Sequence, residues 1–336
     1  MQSDVMTELA KIRSDFSSVP EMPMGNTDKG LLVPYQGNQP DYPDWALKAL
    51  ADRPARSQVL VDGANVETLT WGKAGDQGIL LLHGNGASAD WWSFLAPILA
   101  TSGFRVIAMS FSGMGGSDWR ASYQMETYVA EILAVLEAGA LKVPGRLPIL
   151  IGHSFGGYPA LITSLNHAQE IGGLIMLDTG IEPPGEEWTG PPRRTAPNRV
   201  YATLTEALAR FRLAPPQPCE NHWALDHIAR TSLKEVDGGW SWKFDPFLWN
   251  DFVFQPVSKV VKDLTVPTII MRGAMSYLME DRIWTFMKSV MPPHTGYVTI
   301  HEAAHHVMLD QPLATLAAIE GALAGMSILP NHPLQG

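Results

Sequence analysis

Six residues near the middle of the chain carry the clearest chemistry: Gly152-His153-Ser154-Phe155-Gly156-Gly157. An apolar run, Leu147 to Ile151, precedes them, and a helix-compatible stretch, Tyr158 to His167, follows. Strand, tight turn and helix in that order put a serine at the apex of an elbow, with its hydroxyl directed into a cleft above a sheet. Gly152 and Gly156 stand where a side chain would obstruct the turn. A serine hydroxyl is a weak nucleophile unless a base lies beside it. The chemistry implied is attack by an activated Ser154.

Two further stretches could complete such a centre. His83-Gly84-Asn85-Gly86 follows the strand-like run Ile79 to Leu82. Near the C-terminus the chain reads His301-Glu302-Ala303-Ala304-His305-His306, with Asp310 and Pro312 beyond. His301 to His305 also spells H-E-x-x-H, but zinc chemistry needs that motif on a helix so that both histidines share one face. Here the β-branched run Tyr297 to Ile300 precedes it. No metal is expected. Gly113 to Asp118 makes a poor dinucleotide fingerprint, since the third glycine is misplaced. No cofactor is expected.

The elements that must position these residues alternate. A hairpin, Val59 to Val61 and Val66 to Trp71 around Asp62-Gly63, is followed by strand-like runs at 79–82, 105–109, 147–151, 173–177, 267–271 and 297–300. Helical stretches near 89–100, 126–140, 158–167 and 313–324 fall after several of them. Continuous apolar strands alternating with helices predict a mostly parallel sheet, covered on both faces. Some ninety residues separate the strands at 173–177 and 267–271, too many for a loop. This segment begins proline-rich and carries Trp188, Trp223, Trp240, Trp242 and Trp249. Residues 1–55 read as an N-terminal arm with one short helix near Trp45 to Leu50.

With these motifs in this order, the chain resembles the α/β-hydrolase family across roughly 58–326. The resemblance implies an α/β fold with a helical lid between the sixth and seventh sheet strands. The core would be 56–182 and 265–336, and the lid 183–264. His305 becomes the general base, since a small residue before it, an acid five residues on and a proline seven on fit the family's ending. His83 becomes a loop-ordering residue. The backbone N–H groups of Asn85 and Phe155 become the oxyanion hole. Dehalogenating relatives share the His-Gly-Asn opening but carry an aspartate nucleophile, which argues against that chemistry here.

The family's usual acid follows R-G-x-x-S. This chain reads Arg272-Gly273-Ala274-Met275-Ser276-Tyr277, with tyrosine in the acid's place. Some relatives place the acid one strand earlier, where Asp178 stands. Asp178 is therefore the expected partner of His305, with Glu280 and Asp281 as fallbacks. The expected activity is serine-dependent cleavage of an ester or lactone of a largely apolar or aromatic small molecule, through an acyl-enzyme. Carbon–carbon bond hydrolysis, a cofactor-free oxygenase and a non-catalytic ligand receptor are the alternatives the fold allows.

Bulk composition fits this reading. The chain has 336 residues, 46% hydrophobic and 17% charged, which allows a sizeable core. A net charge of −10 without a basic cluster argues against nucleic-acid binding. The polar N-terminus has no apolar run suited to a signal or membrane span, so a cytoplasmic enzyme is expected. The one cysteine, Cys219, excludes an intramolecular disulfide.

Overall fold

The computed structural model describes residues 30–186, 190–191 and 193–328. Most of the expected arm and Trp188 of the expected lid lie outside these described residues.

The hairpin pairs β1 (Ala55–Val61) with β2 (Ala64–Trp71). Its two-residue turn has positive φ at both Asp62 (+46°) and Gly63 (+80°), the handedness that matches strand twist. Next come β3 (Gln77–Leu82), β4 (Phe104–Met109), β5 (Ile149–His153) and β6 (Gly173–Leu177). The inserted segment contributes β7 (Leu233–Val236) and β8 (Gly239–Trp242). The chain then returns through β9 (Thr268–Gly273) and β10 (Gly296–Ile300). The eight-stranded main sheet runs β1-β2-β4-β3-β5-β6-β9-β10, antiparallel at β1–β2–β4 and parallel from β4 onward.

Every residue of β5 and β6 is buried, because helices cover both faces. Strand periodicity divides the core in two. Ile79, Leu81, Ile149, Ile151, Ile175 and Leu177 pack on one face with Trp92, Phe94 and the helix Pro312–Ile328. Leu80, Leu82, Leu150, Leu174 and Met176 pack on the other, against Tyr128, Ile132 and Leu136 of the helix Met125–Ala138. The parallel register brings the carboxyl ends of β3, β5, β6, β9 and β10 to one edge of the sheet. Ligands bind in the crevice beyond such ends.

The expected helix at 89–100 is a 3-10 turn, Ala89–Trp92, followed by a separate helix, Ala96–Thr101, with Pro97 in its first turn. The insertion between β6 and β9 is only partly helical: helices Leu204–Leu208 and His222–Thr231 are joined there by the antiparallel pair β7–β8. Residues 30–54 lie against this insertion, with Trp45 edge-on to Trp223 (5.2 Å) and the Tyr35 hydroxyl 2.8 Å from His222 Nδ1. Among the described residues, no helix is long and apolar enough to cross a membrane.

Candidate active site

The chain leaves β5 at His153 and turns through Ser154 with φ +52°. That left-handed conformation costs a non-glycine residue about 1–2 kcal/mol, so the surrounding packing must enforce it. A Cβ on Gly152 would lie 2.5 Å from the Gly156 carbonyl oxygen, and one on Gly156 2.5 Å from that of His83. Only glycine lets the elbow close against the end of β3. The helix Gly157–Asn166 then leads away.

His305 arrives from the loop after β10, and Asp178 from the end of β6. His305 Nε2 lies 2.9 Å from Ser154 Oγ, and His305 Nδ1 lies 2.8 Å from Asp178 Oδ1. Since a carboxylate only accepts, Nδ1 carries the proton and Nε2 accepts the Ser154 O–H. Asp178, itself at φ +47°, is fully enclosed. Its Oδ2 accepts the Gly273 N–H (2.7 Å) and its Oδ1 also accepts the Ser276 O–H (2.5 Å).

The loop that lacks its own acid thus supplies two donors to the acid of the neighbouring strand. Tyr277 points to solvent at 80% exposure. Asp281 pairs with Arg272 at 2.7 Å and Glu280 with Arg282 at 3.3 Å, both carboxylates exposed. Neither fallback acid reaches His305.

The neighbouring histidines are held neutral. His83 donates from Nδ1 to the Gly84 carbonyl (2.7 Å) and accepts the Phe111 N–H at Nε2 (3.0 Å). Burial pulls its pKa down to about 4. His153 donates from Nε2 to the His305 carbonyl at 3.0 Å. Burial, then the adjacent His305, hold His153 and His306 well below the ordinary range. Residues 301–305 form a turn and coil, with Glu302 at φ +54°. His301 and His305 therefore do not share a helical face. Among the described residues, no three His, Cys, Asp or Glu side chains are grouped to hold a metal ion.

Asn85 and Phe155 flank the serine. A Cβ on Gly84 would stand 3.2 Å from that of Ser154, so the backbone before Asn85 passes directly beside it. Phe155 N–H opens a 3-10 turn and helix, whose terminus favours negative charge. Above both residues sits an aromatic group from the insertion. Trp249 lies edge-on to Phe155 at 4.9 Å, with Phe252 and Phe254 alongside at 5.0 and 5.5 Å from Trp249. Trp249 Nε1–H also donates to Asn85 Oδ1 at 2.8 Å. Other tryptophans of the insertion serve packing: Trp223 meets Phe94, and Trp242 meets Tyr201 and Phe211. Trp91 and Trp92 are both buried in the core, and Trp91 also lies 5.7 Å from the His306 ring.

Sequence reasoning missed Ser276 and Gly273 as donors to Asp178. The serine retained in Arg272-Gly273-x-x-Ser276 was the available signal for them. It also missed Gln217, which bonds to both His306 and Asp310 and sits in no motif.

Residues 79–319 match the model of the alpha/beta hydrolase family. A serine hydrolase-like protein of Danio rerio is 28% identical over 76% of this chain and 84% of its own length. Another from Dictyostelium discoideum is 33% identical over 34% of this chain, and the match spans 32% of that relative. Among solved structures, the thioesterase domain of the curacin biosynthetic pathway superposes with TM-score 0.66 at 21% identity, over 80% of this chain and 99% of that one. An esterase from Mycobacterium tuberculosis superposes with TM-score 0.64 at 19% identity, over 88% and 97%.

Proposed function

The chain belongs to the alpha/beta hydrolase family, and from that premise we propose that it is a serine hydrolase acting on esters or lactones of largely apolar or aromatic small molecules. One observation carries the reading: the continuous relay from Asp178 through His305 to Ser154, at 2.8 and 2.9 Å.

The steps follow from this geometry. Ser154 Oγ attacks the carbonyl carbon while its proton passes to His305 Nε2. Asp178 stabilises the resulting imidazolium and keeps the ring in the accepting tautomer. The oxyanion of the tetrahedral intermediate takes the N–H groups of Asn85 and Phe155, each such donor being worth roughly 10²–10³ in rate. Collapse breaks the carbon–oxygen bond, and His305 returns its proton to the leaving alkoxide. A water, deprotonated by His305, then cleaves the acyl-enzyme and releases the carboxylic acid. In this reading residues 183–264 serve as the lid over a core of 56–182 and 265–336. The rings of Trp249, Phe252 and Phe254 favour an apolar acyl or alcohol part.

A dyad that only removed a proton from substrate would have no use for a serine within hydrogen-bond reach of the base. That consideration favours acyl transfer over cofactor-free oxygenation. The test is turnover of p-nitrophenyl esters and aryl lactones by wild type and by Ser154→Ala. Activity confined to wild type is expected. Equal turnover by the variant would overturn the assignment.

A further inference from the structure

The loop that carries His305 is fastened from the inserted segment. Gln217 lies between the helices Leu204–Leu208 and His222–Thr231 and is 7% exposed. Its Oε1 accepts two hydrogen bonds from His306, one from the backbone N–H (3.0 Å) and one from ring Nδ1–H (2.8 Å). Its Nε2 donates to both carboxylate oxygens of Asp310, at 2.9 and 2.8 Å. Asp310 Oδ2 in turn accepts the Ala304 N–H at 2.7 Å. The two residues that bracket His305 are therefore tied to one amide–carboxylate pair.

We propose that Gln217 is a positioning residue, which sets the His305 ring between Asp178 and Ser154 through His306 and Asp310 and couples that placement to the docking of the insertion. The proposal rests on the reading of His305 as the general base.

Residue chemistry narrows what can stand here. An amide accepts from two N–H groups and donates to a carboxylate at once. Leucine would leave the buried His306 Nδ1–H unpaired. Glutamate would accept from His306 but set a second carboxylate against Asp310, a pair that holds together only by sharing a proton. Asp310 already favours its proton: burial pushes it up to about 7, against the pull of the Ala304 N–H and Gln217 and with a push from the Asp178 carboxylate. The Cys219 thiol also faces it, and burial followed by the Asp310 charge pushes that thiol up to about 12. His306 is neutral and supplies no compensating charge.

The test compares wild type, Gln217→Leu and Gln217→Glu between about pH 6 and about pH 9, reading kcat and KM on a p-nitrophenyl ester. Gln217→Leu is expected to lose about 10- to 100-fold in kcat, with KM within about twofold, as a small misplacement of the base would give. Gln217→Glu is expected to stay near wild type at the acid end. It should lose about tenfold or more toward alkaline pH, where the shared proton leaves. Wild-type kcat in both variants would overturn the proposal, and so would equal losses without the pH dependence. If Gln217→Leu does not fold, the profile of Gln217→Glu decides alone. Should wild type prove inactive, the reading of Ser154 fails separately. The downfield proton resonance of His305 Nδ1–H against Asp178 then carries the test: its loss in Gln217→Glu at alkaline pH is expected, and its persistence overturns the proposal.

Discussion

Replacing Asp178 by asparagine tests the relay with little disturbance to the fold. In the native protein Oδ2 receives the Gly273 N–H, while Oδ1 receives His305 Nδ1–H and the Ser276 hydroxyl. Gly273 N–H belongs to the backbone and cannot turn, so the asparagine oxygen must occupy the Oδ2 position. Its NH2 group then takes the Oδ1 position and faces His305 Nδ1 and Ser276 Oγ. The serine hydroxyl can rotate to accept. His305 can satisfy the amide only by presenting a lone pair at Nδ1, which moves its proton to Nε2 and leaves Ser154 without an acceptor. The asparagine amide and the His305 ring remain paired and only the hydroxyl protons of Ser154 and Ser276 lose their acceptors, so stability should fall by about 1–3 kcal/mol. Catalysis should fall by on the order of 10⁴-fold, or about 5 kcal/mol of barrier. Pre-steady-state acylation by a p-nitrophenyl ester, with urea unfolding alongside, reads both quantities. The exposed Glu280→Ala/Asp281→Ala double variant is the control, with acylation expected within about twofold of wild type. Acylation by Asp178→Asn within tenfold of wild type, or a larger loss in the double variant, would refute this assignment of the acid.

Ser154→Gly should be more stable than Ser154→Ala by about 1 kcal/mol, because only glycine is unstrained at φ +52°; urea midpoints in the opposite order would contradict an enforced elbow. For His83, the native pKa of about 4 lies below the ordinary 6.5, so between these values the unfolded chain binds a proton that the native state does not. Its contribution is therefore present above about pH 6.5 and is lost on acidification. Relative to His83→Gln, wild type should lose about 3 kcal/mol between those limits, and a pH-independent difference in unfolding free energy would exclude the mechanism. Trp249→Phe keeps the rings above Phe155 but removes the donor to Asn85. It should lower kcat for an aryl ester by about tenfold with little change in KM, whereas Trp249→Ala should raise KM as well; unchanged kinetics in both would detach Trp249 from the site.

Local signals made most of the catalytic edge legible. The elbow needs glycine where backbones touch, and Gly152 and Gly156 do touch the 152–157 turn and the end of β3. The spacing to Asp310 and Pro312 marks His305, and Tyr277, which cannot be a carboxylate, points to Asp178 as the acid. The insertion was less legible, since its contacts are long-range and follow no period. Nothing local distinguishes Trp249 over Phe155 from Trp223 in the packing, or singles out Gln217 ninety residues before the loop it fastens. Two misses had a readable cause. Asp237-Gly238-Gly239 is a turn signal between β7 and β8 within a segment expected to be helical. Pro97 marks the start of a new helix after the Trp91–Trp92 turn.

Ser154 is not the chain's lone serine beside a histidine. Ser93 Oγ lies 2.7 Å from His227 Nε2, but it donates its own proton to the Asp90 carbonyl at 2.6 Å and is buried. A hydroxyl so committed has no proton to give to a base. Peptide mapping of the adduct formed with a fluorophosphonate therefore tests the central claim most directly. A single adduct on Ser154, lost in His305→Ala, is the predicted result. An adduct on Ser93 or another serine, or none at all, would contradict it.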